Sequence, residues 1–372
     1  MIHRSTSSFL ALALALTLTP ALVHAADAKA HKSTATPKPA AKPAPAPKPA
    51  APKPAKPGHS YPTFGQVERF DPLIDQLIPA DAKLEKLAEG FSWAEGPVWR
   101  RRDYSLLFSD VPRNTVFRWK AGAGTAEFLR PSGYTGTTAR GGEPGSNGLT
   151  IDSAGRLVLC EHGDRRVTRL EKNGTKTVLA EFYKGRRLNS PNDLVLNRKG
   201  DVYFTDPPYG LEKGNTDPRK ELIFNGVFLR RANGQLVLLT DKLTYPNGIA
   251  LSPDEKTLYV AVSDEKQPVI MCYGIKADGT LGAGRVFFDA SSLTNGRKGM
   301  PDGLKVDRKG NLFATGPGGV LVISPSGKHL GTINTGEATA NCAFGGEDGS
   351  TLYITANMFL ARIKTSPTGS NY

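Results

Sequence analysis

The chain has 372 residues, enough for one large domain or two ordinary ones, and its 48 Lys+Arg against 35 Asp+Glu give a net charge of +13. That charge suggests a nucleic-acid binder only until it is located. Residues 1–58 hold eight bases, one acid and ten of the 28 prolines, while the remainder is nearly balanced and lacks a basic run interleaved with aromatics, so no nucleic-acid partner is expected.

Residues 1–25 read as a secretory signal peptide. His3 and Arg4 open it, an apolar run from Phe9 to about Leu22 follows, and Val23-His24-Ala25 supplies the small residues for cleavage after Ala25. The expected location is periplasmic or secreted. An uncleaved anchor is the alternative, although the apolar run is short for a membrane span. Residues 26–60 are almost entirely Ala, Pro and Lys, a composition that cannot bury enough apolar area to offset chain entropy, so a disordered linker is expected. It serves either as a spacer or, through its lysines, as a contact to an anionic cell envelope.

Residues 61–372 form the body, and a repeat organises them. SNGLTIDSAGRLVLCEH from Ser146, SPNDLVLNRKGDVYFTD from Ser190, YPNGIALSPDEKTLYVAV from Tyr245 and MPDGLKVDRKGNLFATG from Met300 share one plan. Each has an Asn or Asp, a short alternating strand, a polar turn and a second apolar strand. ANCAFGGEDGSTLYITA from Ala340 is a fifth copy, and AEGPVWRRRDYSLLFSD from Ala94 a sixth led by Glu. Further strands lie between copies, among them RVTRLEKNG with KTVLAEF, where Asn-Gly between alternating runs is a hairpin signal. Four short strands per copy, six times over, predict an all-β fold, a six-bladed β-propeller. Only Leu73 to Leu87 hints at a helical period, and Lys83 to Glu89 reads instead as the outer strand that closes the last blade. Cys160, Cys272 and Cys342 sit in separate apolar runs without a CxxC, which points to buried thiols; one disulfide stays open. Asn173-Gly-Thr fits a glycosylation sequon, but its place between two strands reads as a turn.

In a propeller, equivalent positions of the inner strands ring one central channel. The lead residues Glu95, Asn147, Asn192, Asn247, Asp302 and Asn341 should therefore converge at one mouth. Oxygen-bearing side chains with two carboxylates among them are costly to bury together without a cation. Oxygen-only donors suit a hard ion of high coordination number, Ca²⁺ before Mg²⁺ or Mn²⁺. Only His162 and His329 remain outside the first 60 residues, so a three-histidine zinc site cannot be built, though Zn²⁺ could still visit the oxygen ring. The competing explanation is that each Asn or Asp merely caps a turn.

FSWAEGPVW, SPNDLVL, YPNGIALSPD, MPDGLKVD and ANCAFGGEDGSTLYIT together resemble the SMP-30/gluconolactonase family, over about Phe64 to Ile363. The resemblance implies a six-bladed propeller holding a divalent cation, usually Ca²⁺, and hydrolysis of sugar lactones to aldonic acids. Carried over by motif, Glu95, Asn247 and Asp302 match metal ligands, and Asn192 matches a residue on the metal or the substrate beside it. Asp302 also matches the carboxylate assigned as general base or nucleophile. CEHGDRRVTRL and GNTDPRKEL look like motifs of the bacterial gluconolactonase branch. His162, at the end of an inner strand, is expected either to bind substrate hydroxyls or to fix its loop through Asp164 or Arg165. Asn147 and Asn341 join the substrate-binding set by repeat register.

A small sugar lactone is thus the expected partner, and the repeats do not specify an oligomeric state. Two rival readings use the same ring. One is a non-catalytic binding scaffold stapled by its cation, the other a phosphotriesterase-type hydrolase, since fold does not fix function. GxSxG, HExxH and P-loop motifs are absent from the sequence, which leaves serine-hydrolase, zinc-protease and nucleotide-binding readings unsupported.

Overall fold

The computed structural model describes residues 60–138 and 140–370. The expected signal peptide and, save for Ser60, the expected linker lie outside the described residues. Each repeat copy opens one antiparallel sheet, and six such sheets make a six-bladed β-propeller. Blade 1 runs Ala94–Arg100, Ser105–Asp110, Thr115–Lys120 and Gly124–Leu129. Blades 2, 3 and 4 open with Ser146–Ile151, Leu194–Leu196 and Pro246–Leu251. Blades 5 and 6 open with Leu304–Val306 and Thr339–Gly345. These first strands touch one another in a closed circle, blade 6 meeting blade 1, and so line the channel.

The alternating apolar residues explain why the circle holds. Among the described residues there are six hydrophobic clusters, and each fills the space between one pair of neighbouring blades. Leu107, Leu149 and Leu159 join blades 1 and 2, for example, and Val195, Ile249 and Val260 join blades 3 and 4. The polar turns after each first strand have their own logic. Asp152, Asn197, Asp254, Asp307 and Asp348 each accept a hydrogen bond from the backbone N–H two residues on, which closes the hairpin locally. Asn173 does the same for Thr175, so the sequon is indeed built as a turn.

Second-strand hydroxyls bind adjacent blades near the channel. Ser109 Oγ donates to the Asn147 carbonyl at 2.8 Å, Thr205 Oγ1 to Asn247 at 2.6 Å, and Thr315 Oγ1 to Ala340 at 2.9 Å. The residue after a lead position often has to be glycine for this close approach. A Cβ at Gly248 would lie 2.1 Å from the Asp302 carbonyl oxygen, and one at Gly96, whose φ is +53°, 2.1 Å from that of Asn147.

Leu84–Glu89 pairs with Phe359–Lys364 as the outer strand of blade 6, so N- and C-terminal segments close the ring together. The N-terminal segment also reaches blade 5, where Gln66–Arg69 adds a fifth strand beside His329–Asn334. The helical hint becomes one 3₁₀ turn, Pro72–Gln76, capped by Asp71 and anchored through Ile74 between blades 5 and 6. All three cysteines are buried and unpaired. Among the described residues no helix is long and apolar enough to cross a membrane.

Candidate active site

Glu95, Asn147, Asn192, Asn247 and Asp302 converge, as the repeat register requires, on one cavity of about 330 Å³ at a channel mouth. Trp93, Glu143, Tyr209 and Ser263 complete much of its wall. The ring is electrostatically frustrated. Burial, followed by the charge of Asp193, raises the Glu95 carboxyl far above the usual range, although the Gly96 N–H donates to it. Burial, then the charges of Glu95, Asp193 and Glu143, raises Asp302 as well. The carboxamides are under-satisfied in the same place. Asn247 Nδ2 donates to Ser263 Oγ at 2.9 Å, but the buried Oδ1 atoms of Asn147, Asn192 and Asn247 have no hydrogen-bond partner.

Three unpartnered carboxamide oxygens and two mutually repelling carboxylates are a donor set for a hard divalent cation. Among the described residues no group of three or more His, Cys, Asp or Glu side chains could hold a metal. The fit therefore depends on the asparagines, which disfavours Zn²⁺ and suits Ca²⁺.

Two expected residues lie elsewhere. Asn341 does not line the cavity. Its Oδ1 accepts from Lys305 Nζ at 3.1 Å and from the Cys342 N–H at 2.9 Å, and its Nδ2 is 3.4 Å from Asp193 Oδ2. It stands just behind the ring: its side chain hydrogen-bonds the Glu95 carboxylate, and its carboxamide packs over Gly303, where a Cβ would come within 1.9 Å of its Cγ. His162 is fully buried behind the cavity wall, with Nδ1 2.9 Å from Glu143 Oε2. Its ring pairs with neither Asp164 nor Arg165, and both its nitrogens are without a hydrogen-bond partner among the described residues: Asp164 instead binds Thr135 and Arg166, and the Arg165 guanidinium donates to the Leu188 carbonyl.

Several cavity or channel residues escaped the sequence reading, Asp193, Glu143 and Tyr209 among them. Asp193 occupies the position after the lead residue where Gly96, Gly148, Gly248 and Gly303 stand in other copies, and that departure was visible in the alignment of the copies. Glu143 is the one acid of the segment Gly141-Gly-Glu-Pro-Gly145, outside any repeat. Tyr209, in the Asp206-Pro-Pro-Tyr-Gly loop, stacks on Tyr245 with centroids 6.0 Å apart. Burial, with the charges of Asp302 and Glu143, pushes its phenol well above the ordinary value.

The fold and site define a class: six-bladed propellers with an oxygen-rich channel mouth. The SMP-30/Gluconolactonase/LRE-like region matches residues 93–358, and the chain belongs to that family. It is similar to a gluconolactonase of Zymomonas mobilis, 40% identical over 315 residues that cover 82% of this chain and 88% of the relative. A solved gluconolactonase from Xanthomonas campestris superposes with a TM-score of 0.71 at 31% identity, covering 85% of this chain and 97% of that one. A calcium-binding regucalcin from Agrobacterium tumefaciens, 19% identical with a TM-score of 0.59 over 82% and 96% of the two chains, shares the fold.

Proposed function

We propose that the protein hydrolyses a sugar lactone, such as gluconolactone, to its aldonic acid with the help of a divalent cation, Ca²⁺ first. The observation that carries this reading is the ring itself: two frustrated carboxylates and three unpartnered carboxamide oxygens facing one cavity, in a chain of the gluconolactonase family. Glu95, Asn192, Asn247 and Asp302 would hold the cation. When bound, the cation supplies positive charge against the negative charge that grows on the lactone carbonyl oxygen during attack.

The chain's own residues do the rest. Asn147 and Asn192 orient the polyhydroxylated substrate, since a carboxamide both donates and accepts. Tyr209 and Trp93 cover the cavity wall with aromatic surface and limit access of bulk water. Asp302 is the motif-derived general base or nucleophile. It can serve so only through an oxygen turned away from the cation, because nearby positive charge lowers carboxylate basicity. Residues 1–25 are read as a signal that sends the enzyme to the periplasm or medium, and residues 26–60 as its linker, on sequence grounds alone.

A pH-stat measurement on glucono-1,5-lactone, corrected for spontaneous hydrolysis, tests the reading. The rate should fall on chelation and return with Ca²⁺. Absence of any rate above the spontaneous one, with several sugar lactones and saturating Ca²⁺, would leave a non-catalytic scaffold.

A further inference from the structure

We infer that Lys305 is the channel's own cation, and that its fixed charge, set just beneath the oxygen ring, limits how tightly the ring holds a divalent ion. This rests on the cation reading above and adds to it a residue that sets the affinity.

A polar bar crosses the channel under the ring. Asp193 of blade 3 and Asn341 of blade 6 start from opposite sides of the circle, yet Asn341 Nδ2 donates to Asp193 Oδ2 at 3.4 Å, so the pair spans the channel. From blade 5, Lys305 Nζ donates to Asn341 Oδ1 at 3.1 Å and to the Leu304 carbonyl at 3.0 Å, with Asp193 Oδ2 4.0 Å away. From blade 1, Glu95 joins through the hydrogen bond that the Asn341 side chain makes to its carboxylate. Glycines give the bar its room. A Cβ at Gly148 would lie 2.7 Å from Asp193 Oδ1, and one at Gly303 within 1.9 Å of Asn341 Cγ.

The repeat shows that this charge is particular to one blade. Three residues after the lead position the other copies carry Val98, Thr150, Val195, Ala250 and Phe344, and only the copy led by Asp302 carries a base. Lys305 lines the aliphatic lower cavity and its side chain is 26% exposed, but its ammonium meets the bar, whose Asp193 side chain is buried. Its field reaches the ring. Beyond the effect of burial, the Asp193 charge raises the Glu95 carboxyl and the Lys305 charge lowers it.

A fixed positive charge in this place has two opposite consequences. With no divalent ion bound, it offsets the repulsion among the carboxylates and favours the folded ring. With an ion bound, it repels that ion through a medium that screens less than water does. A side chain that only packed, or only donated a hydrogen bond to Asn341, would have the first consequence without the second.

Calorimetric titration with Ca²⁺, and melting with and without EDTA, test this on the whole protein. Lys305→Met keeps the stem and removes the charge, while Lys305→Gln also keeps a donor for Asn341. Both should bind Ca²⁺ about tenfold more tightly than wild type, the order expected of one unit charge acting on a divalent ion through several ångströms of protein. Both should melt below wild type in EDTA, so Ca²⁺ should raise their melting temperatures by more. Adding Asp193→Asn to Lys305→Met removes the opposing charge and should bring Kd back to within about threefold of wild type. Unchanged or weaker Ca²⁺ binding in both single variants overturns the inference, as does melting in EDTA at or above wild type. Tighter binding in Lys305→Met with a wild-type Kd in Lys305→Gln overturns it too, because the charge is then not the cause. If wild type binds no divalent cation, the cation reading fails and this inference with it; if wild type binds one and the variants match it, only this inference falls.

Discussion

At its mouth the channel presents Glu95, Asn147, Asn192, Asn247 and Asp302, whereas a few residues further along the inner strands it presents Val98, Leu149, Val195, Ile249 and Val306. The first region is polar, under-satisfied and mutually repelling. The second is lined mainly by aliphatic side chains that also pack between the blades, with Arg101, Thr150 and Lys305 among them. The same strands thus do two jobs, and the position along the strand decides which. Oxygen donors gather where the chain enters the sheet and side chains can face the mouth; β-branched and aliphatic residues gather where neighbouring blades press together. A stable, rigid lower channel is what lets the upper one hold an arrangement that costs free energy when no cation is present.

The sharpest way to break this contrast is Asp302→Asn. The substitution keeps an oxygen donor but removes one of two buried charges, so affinity for Ca²⁺ should fall by about 3 kcal/mol, roughly 10²-fold in Kd. In chelator the sign should reverse. The variant relieves the repulsion from Glu95 and Asp193 and should melt above wild type, while in excess Ca²⁺ it should melt below. Calorimetric titration and paired melts with and without EDTA check both signs. A lower melting temperature in both conditions would show that the ring is not frustrated.

The complementary change is Ile249→Ala, at a buried position between blades 3 and 4. It should cost about 2–5 kcal/mol of stability, the usual range for a buried aliphatic truncation, and leave Ca²⁺ affinity within a factor of about three, since roughly 0.65 kcal/mol or less should reach the ring. Denaturant melts beside the same calorimetry separate the two readouts. A parallel loss of Ca²⁺ affinity would mean that the two regions are energetically one.

Cation binding tests the frustrated region directly. An ion that binds the folded ring and not the unfolded chain should add about 2.7 kcal/mol at 100 times Kd, seen as a higher melting temperature that chelation removes. Zn²⁺ should restore it less well than Ca²⁺, because the cavity offers no thiolate and its nearest imidazole, His162, is turned to Glu143.

What was legible in the sequence follows the same division. The blades were readable because each obeys local rules: alternating apolar residues, Asn-Gly or Asp-led turns, and an outer strand at Lys83 to Glu89 that the arithmetic of six blades demanded. The ring was readable because the repeat carries register, which put five of six lead residues on one cavity. Asn341 also sits in that register, yet depth along the channel depends on how the inner strand of blade 6 is set, and no spacing encodes that. Glu143 and Tyr209 come from loops between copies, where the repeat is silent. The turn of His162 toward Glu143, away from Asp164 and Arg165, depends on the path of the loop before blade 2. The fifth strand on blade 5 was hidden as well, since Gln66–Arg69 is too short and polar to announce itself.

The smallest expected effect concerns residues 1–59. They precede the repeats, carry no core-forming pattern and supply none of the ring residues, so a chain beginning at Ser60 retains every side chain of the cavity. It also retains Tyr61, which packs its ring near Trp119 and lies under the Arg362 guanidinium at the seam of blades 6 and 1. Its kcat/KM should therefore stay within about threefold of the full chain, roughly 0.65 kcal/mol. The lysines and prolines should matter to location instead. Salt elution from envelope fractions should release the full chain at higher ionic strength than the shortened one, as expected for charges screened over a Debye length of about 8–10 Å. Identical elution would make the segment a spacer, and a loss of kcat/KM beyond tenfold would place it at the catalytic mouth.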